Sequence, residues 1–120
     1  MSGEAPVKLR LVSGDETNDL ALLQAPSPFK DVAKIRQNAI PVGNGVVAIG
    51  YPYHGLLTSD FTVTTGIVSA LDRPVRAGDA ETQVVTNAVQ TSAAINPGNS
   101  GGALVNSAGE LVGINSSIAT

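Results

Sequence analysis

The chain has 120 residues, of which 42% are hydrophobic and only 3% aromatic, and its formal net charge is −3. This length suits one domain with a core of aliphatic side chains. The acidic balance disfavours nucleic-acid binding, which needs a basic surface. Because the sequence has no cysteine and a single histidine, we expect no metal site and no cofactor. No apolar run is long enough to cross a membrane.

Seven segments have the alternating or β-branched pattern of strands. In chain order they are residues 7–13, 20–24, 46–51, 61–71, 83–91, 103–105 and 111–118. The second and third are largely apolar and predict buried strands, Gly66 predicts a bend or bulge, and the last two predict a hairpin. No helical period is present, so the sequence predicts an all-β, antiparallel fold in which residues 46–118 approach one six-stranded barrel.

The stretch NPGNSGGAL, residues 96–104, places Ser100 in a G-x-S-x-G pattern. In α/β-hydrolases this pattern precedes a helix and a downstream histidine, but a hairpin and no histidine follow Ser100. A subtilisin-like order would use Asp19, His54 and Ser100, but that architecture needs helices, which the sequence does not predict. The pattern therefore fits neither class.

A tight glycine loop before a hairpin can direct successive backbone N–H groups into one concavity, as an oxyanion hole requires. The N–H groups of Gly98 and Ser100 are the candidates. Gly98 tolerates unusual backbone angles, and Gly101 and Gly102 allow close approach of neighbouring chain. The structural alternative is a glycine-rich turn in which the serine only caps a loop.

Five motifs in order along the chain favour the catalytic interpretation. They are DLALL at 19–23, VVAIGYP at 46–52, TVTTGIVSAL at 62–71, QTSAAINPGNSGGALVN at 90–106 and GELVGIN at 109–115. Together they resemble the trypsin-like serine proteases, and most closely the HtrA (Deg) branch. The resemblance implies a Greek-key antiparallel β-barrel, the second barrel of the chymotrypsin fold.

The same resemblance implies roles for individual residues. Ser100 matches the nucleophile, Asp19 matches the acid that orients a catalytic histidine, and the Gly98 and Ser100 N–H groups match the oxyanion hole. The substrate-binding positions are Ala94, Ile95, Ser116, Ser117 and Ile118. An uncharged alanine at the floor of the specificity pocket implies cleavage after small or medium aliphatic residues, and the 116–118 edge implies substrate pairing by strand addition.

The family's histidine precedes its acid in the chain, but residues 1–18 contain none. His54 matches no motif position and is interpreted as a loop residue. We therefore expect residues 1–24 to be a remnant of the first barrel with the acid, residues 25–45 the linker, and residues 46–120 the second barrel with the nucleophile. On this interpretation the fold is truncated at both ends, and the chain is a partial catalytic domain that is inactive alone.

Two functions remain open on the sequence. One is a serine endopeptidase of HtrA type, acting on extended or unfolded polypeptides. The other is a non-catalytic β module, a pseudoprotease or a strand-exchanged assembly, that binds extended peptides. Open strand edges predict self-association. The resemblance implies a bacterial, extracytoplasmic family, although the sequence has no signal of its own that fixes a compartment.

Overall fold

The computed structural model describes residues 6–51, 61–76, 84–96 and 98–116. These residues form seven strands and no helix, so the predicted all-β class is confirmed. The strands are β1 (Arg10–Asp15), β2 (Leu20–Gln24), β3 (Gly45–Gly50), β4 (Thr62–Arg76), β5 (Val84–Thr91), β6 (Ala103–Asn106) and β7 (Leu111–Ile114). Every strand pair is antiparallel. No helix in the described part of the chain is long and apolar enough to cross a membrane.

The main sheet has five strands in the order β5-β4-β3-β6-β7. It contains all the predicted strands from residue 46 onward, although among the described residues the sheet has five strands rather than six. Two predicted bounds were wrong, since β4 continues to Arg76 rather than ending at residue 71, and β7 ends at Ile114 rather than at residue 118. The predicted hairpin of β6 and β7 is confirmed, with Ala103 opposite Ile114. β3 lies at the centre, paired with β4 and β6.

The core lies on one face of this sheet. Val46 and Ala48 alternate with less buried neighbours along β3, as expected of a strand with one covered face. They pack with Val68, Ala93 and Leu104. The linker contributes Ile40, whose side chain is buried in the same cluster.

The linker between β2 and β3 is hydrogen-bonded to β7, the last strand of the main sheet. Ile35 forms a parallel bridge with Leu111. The Arg36 N–H donates to the Leu111 carbonyl at 3.0 Å, and the Leu111 N–H donates to the Lys34 carbonyl at 2.8 Å. These bonds occupy part of the outer edge of β7.

The two-stranded sheet of β1 and β2 differs from expectation. The sequence predicts a buried β2, but all five of its residues are exposed. The reason is that β2 pairs only with β1, and no second layer of described residues covers either face. An apolar sequence pattern shows that a strand can be buried, but burial also requires another layer of the protein to pack against that strand.

The role predicted for Gly66 is also corrected. The glycine lies in unbroken register opposite Val46, and the irregular pairing of β4 comes later, from Val68 onward, against β5. Gly66 is needed for a different reason, since a Cβ there would overlap the backbone of Ala93. The absence of a side chain therefore lets β4 touch the segment that leads into the Ser100 loop.

Candidate active site

Asp19 lies in the tight turn between β1 and β2. Its φ is 57°, a left-handed conformation that Asp tolerates better than most residues. Asp15 shapes this turn, because its carboxylate accepts the Asn18 backbone N–H at 3.1 Å and the Asn18 amide at 2.8 Å. The Asn18 side chain, followed by its backbone N–H, lowers the pKa of Asp15 below its usual value. Sequence reasoning missed Asp15, although Asp followed three residues later by Asn is a typical turn signal.

The Asp19 carboxylate reaches the far end of the chain. Its Oδ2 accepts a hydrogen bond from the Ser116 hydroxyl at 2.9 Å, across 97 positions of sequence. Asp19 is exposed and Ser116, two residues after the end of β7, is half-buried. The structure thus brings together two of the residues predicted for the site.

The Ser100 loop is a compact turn organised by Asn96. The Asn96 carbonyl accepts the backbone N–H groups of Asn99 and Ser100, both at 3.1 Å. The Asn96 side-chain oxygen accepts the Gly98 N–H at 2.9 Å. Both predicted oxyanion donors, Gly98 and Ser100, are therefore bonded inside the loop in this conformation. Ser100 itself is exposed.

Two glycines let this loop lie directly on the sheet. A Cβ on Gly102 would overlap the Ile49 carbonyl, and a Cβ on Gly50 would overlap Asn99. The predicted close approach at Gly102 is therefore confirmed. Gly101 serves a different purpose, because its φ is 86° and nothing lies within 4 Å of the position a Cβ would take.

The predicted specificity segment is anchored through its backbone. The Ala94 carbonyl accepts the Thr64 hydroxyl at 2.8 Å and the Asn99 side-chain amide at 3.0 Å. Ala94 is exposed, while Ile95 is half-buried and packs against the core. Three other residues that sequence reasoning considered, His54, Ser117 and Ile118, lie outside the described residues.

Two buried asparagines that sequence reasoning did not single out connect these parts. Asn99 accepts the Asn96 N–H at 2.9 Å with its Oδ1, so its side chain bridges Asn96 and Ala94. Asn115 donates to the Asn99 carbonyl at 3.2 Å. A continuous path of contacts therefore runs from Asp19 through Ser116 and Asn115 to the residue before Ser100. Buried side-chain amides of this kind have no distinctive sequence pattern.

The site contains Ser100 on a glycine-rich turn and the Asp19 carboxylate, which accepts a hydrogen bond from the Ser116 hydroxyl. No cluster of three His, Asp or Glu side chains suited to a metal ion lies among the residues with described positions. The chemistry that Ser100 and Asp19 can supply is that of a nucleophile and a group that orients a base.

Comparisons with known proteins identify the family. A family model described as a trypsin-like peptidase domain matches residues 2–114. Serine protease PepD of Mycobacterium tuberculosis is 50% identical over 114 residues, covering 92% of this chain and 24% of PepD. Periplasmic serine endoprotease DegP of Escherichia coli is 46% identical over 112 residues, covering 91% and 22%. The chain thus spans about a quarter of the length of these relatives.

Solved structures show the same relationship. The HtrA-type protease AlgW, determined with a decapeptide, superimposes with a TM-score of 0.75 at 38% identity. The match covers 95% of this chain and 33% of the AlgW chain.

Proposed function

The chain belongs to the family of trypsin-like peptidase domains, and from that premise we propose that it carries the nucleophile and the acid of an HtrA-type serine endopeptidase. Ser100 is the nucleophile and Asp19 orients the base. The observation that carries the proposal is the Asp19–Ser116 hydrogen bond. It holds the acid at Ser116. The preceding residue, Asn115, donates a hydrogen bond to the Asn99 carbonyl in the Ser100 loop.

The proposed reaction proceeds through an acyl-enzyme. A base removes the Ser100 hydroxyl proton while the oxygen attacks the substrate carbonyl, and the tetrahedral intermediate carries the negative charge on the former carbonyl oxygen. The C–N bond then breaks as the protonated base gives its proton to the leaving amine. Water repeats the attack on the ester and releases the acid product together with the free serine.

The base in this family is a histidine that precedes the acid in the chain, and this sequence has no histidine before Asp19. The one histidine, His54, follows Asp19 in the chain. We therefore propose that these 120 residues are inactive alone and act as a partial catalytic domain. The histidine would come from additional polypeptide that pairs with the exposed β1–β2 sheet.

The oxyanion site requires a change in the loop. The proposed donors, the N–H groups of Gly98 and Ser100, are both held by oxygen atoms of Asn96. A substrate oxyanion can accept these bonds only after the Asn96 oxygens turn away. Because charged acceptors form stronger hydrogen bonds than neutral ones, a developing oxyanion favours the exchange.

We propose that the substrate is an extended or unfolded polypeptide. The residues proposed to bind it are Ala94, at the floor of the primary pocket, together with Ile95, Ser116, Ser117 and Ile118. The uncharged Ala94 favours small or medium aliphatic side chains. DegP is named as periplasmic, and a location outside the cytoplasm is proposed for this chain as well.

A second candidate is a non-catalytic β module that binds extended peptides or assembles with itself. The exposed apolar residues of the β1–β2 sheet favour it, since Leu11, Leu22 and Leu23 are each at least half exposed. Packing of a second copy against this sheet would cover these side chains, and strand pairing would cover its open edges.

Labelling with a fluorophosphonate probe separates the two candidates. The probe forms a covalent bond only with an activated serine, so the chain alone should label no faster than Ser100→Ala. Addition of a separately expressed histidine-bearing barrel from an HtrA-type relative should produce labelling of Ser100 if the first candidate is correct. Absence of labelling in the assembled pair, despite measured binding, would favour the second.

A further inference from the structure

Three polar residues are buried among those that the structure describes, and all are asparagines: Asn99, Asn106 and Asn115. Two of them meet directly behind Ser100. Asn99 is 1% exposed and Asn115 is 5% exposed. Burial of an amide is unfavourable unless its hydrogen bonds are replaced, so the partners of these side chains reveal what they hold in place.

The Asn115 side chain faces three carbonyl groups from three parts of the chain. Its Nδ2 lies 3.2 Å from each of the carbonyl oxygens of Ile49, Asn99 and Ala103. These carbonyls belong to β3, the Ser100 loop and β6. A single NH₂ group therefore connects the loop to the central strand β3 and to its neighbour β6.

This cluster also determines which way the amide points. An oxygen in the place of Nδ2 would face three carbonyl oxygens, all acceptors, so only the NH₂ group fits there. The Asn115 Oδ1 is buried and has no hydrogen-bond partner among the described residues. The amide thus satisfies its donors and leaves its acceptor unpaired, which indicates that donation is the function of this side chain.

The bond to Asn99 acts on Ser100 through the rigid peptide unit. The Asn99 carbonyl and the Ser100 N–H belong to one planar group and point in opposite directions. The carbonyl is held by Asn115 Nδ2 at 3.2 Å and by the Gly102 N–H at 3.1 Å. Holding the carbonyl therefore fixes the direction of the Ser100 N–H.

The main chain of Asn115 holds the following peptide unit. Its carbonyl accepts the Gly101 N–H at 2.7 Å, and its N–H donates to the Gly102 carbonyl at 2.8 Å. The peptide groups before and after Ser100 are thus both bonded to Asn115. Among the described residues, neither Asn96 nor Gly98 forms a hydrogen bond with Asn115, so these two residues can rearrange independently of it.

We propose that Asn115 is a positioning residue that fixes the Ser100 N–H, so that Asn96 and Gly98 move, and the Ser100 peptide does not, when the Asn96 oxygens release the oxyanion donors. This inference rests on the proposed function, because it assigns a role within the same site. The predicted effect is local: without the Asn115 amide, the Asn99 carbonyl keeps only its bond from the Gly102 N–H, and the Asn99–Ser100 peptide is held less firmly even when the sheet remains folded.

Amide hydrogen exchange measured by NMR on the full chain tests this directly. In Asn115→Leu, the Ser100 and Gly102 amides should exchange about tenfold faster relative to the Ala48 amide of the central strand, which is the effect expected from the net loss of one hydrogen bond. Asn106→Leu is the matched control. Asn106 is also buried and makes three side-chain bonds, but it makes them within the β6–β7 turn, so the exchange ratio should not change.

A measurement on the unsubstituted chain covers the case in which Asn115→Leu does not fold. The side-chain NH₂ protons of Asn115 should exchange as slowly as the strand amides. Rapid exchange of these protons, or an equal acceleration of the Ser100, Gly102 and Ala48 amides in Asn115→Leu, would overturn the proposal. Neither readout depends on catalysis, so a failure here is distinct from a failure of fluorophosphonate labelling in the assembled pair.

Discussion

The Ser116 hydroxyl donates to the Asp19 carboxylate at 2.9 Å and thereby joins the β1–β2 sheet to the five-stranded sheet. Removal of this donor in Ser116→Ala should loosen the attachment of residues 10–24 while the main sheet remains intact. Limited proteolysis should then cut the β1–β2 sheet faster in Ser116→Ala. Ser107→Ala, in the exposed turn after β6, is the control and should be cut at the unsubstituted rate.

The second prediction concerns catalysis by the chain alone. The 120 residues should hydrolyse peptide esters no faster than Ser100→Ala, because a serine without its base keeps little of the rate of a complete triad. A chromogenic ester assay with matched protein concentrations measures this. Turnover that disappears in Ser100→Ala would contradict it and would point to His54 or a second chain as the base.

The third prediction concerns the contact beneath the Ser100 loop. Gly102→Ala should lower the free energy of unfolding by more than about 1–3 kcal/mol, the usual cost of overpacking, because the new Cβ overlaps the backbone carbonyl of Ile49 rather than a movable side chain. Urea denaturation measures the change. Gly45→Ala is the control, since nothing lies within 4 Å of a Cβ at that position, and its effect should be small.

The fourth prediction concerns acid stability. The Asn106 side-chain hydrogen bond, followed by the nearby charges of Arg36 and Lys34, lowers the pKa of Glu110 from its usual value of 4.5. A lowered folded-state pKa means that the ionised carboxylate stabilises the fold above pH 4.5, and that this contribution is lost as the pH falls through the folded-state pKa.

Thermal denaturation as a function of pH checks the Glu110 effect. Glu110→Gln keeps an acceptor for Asn106 but cannot ionise, so the fall in melting temperature below pH 4.5 should be shallower than in the unsubstituted chain. Asp31→Asn, an exposed carboxylate of the linker, is the control. An unchanged acid slope in Glu110→Gln would show that this carboxylate does not contribute.

The fifth prediction concerns self-association. Leu22 is 58% exposed on β2, and an apolar surface of this kind favours pairing with a second copy. Light scattering should detect dimers or larger species at high protein concentration, and Leu22→Lys should reduce them. Val32→Lys is the control, because Val32 is 80% exposed but lies on the linker and belongs to no strand. A monodisperse monomer in the unsubstituted chain would contradict this prediction.

Local sequence patterns determined most of the strands. β-branched and apolar runs bounded by turn residues predicted all seven, and β2 was predicted with its observed bounds, because the turn residues that separate the strands act on their immediate neighbours. The Ser100 loop was also recognisable, since its glycines are required by backbone conformation and close approach. These signals are local, so one sequence is sufficient to read them.

Burial and long-range hydrogen bonding were decided only by the tertiary structure. The pattern of β2 indicated an apolar strand, but its exposure depends on whether another layer packs against it. Likewise, nothing near Asn115 in the sequence shows that its amide meets the Ile49 carbonyl 66 residues away. Hydrogen bonds between distant residues depend on how the strands are arranged in the sheet, and for this reason the supports of Ser100 became visible only in the folded chain.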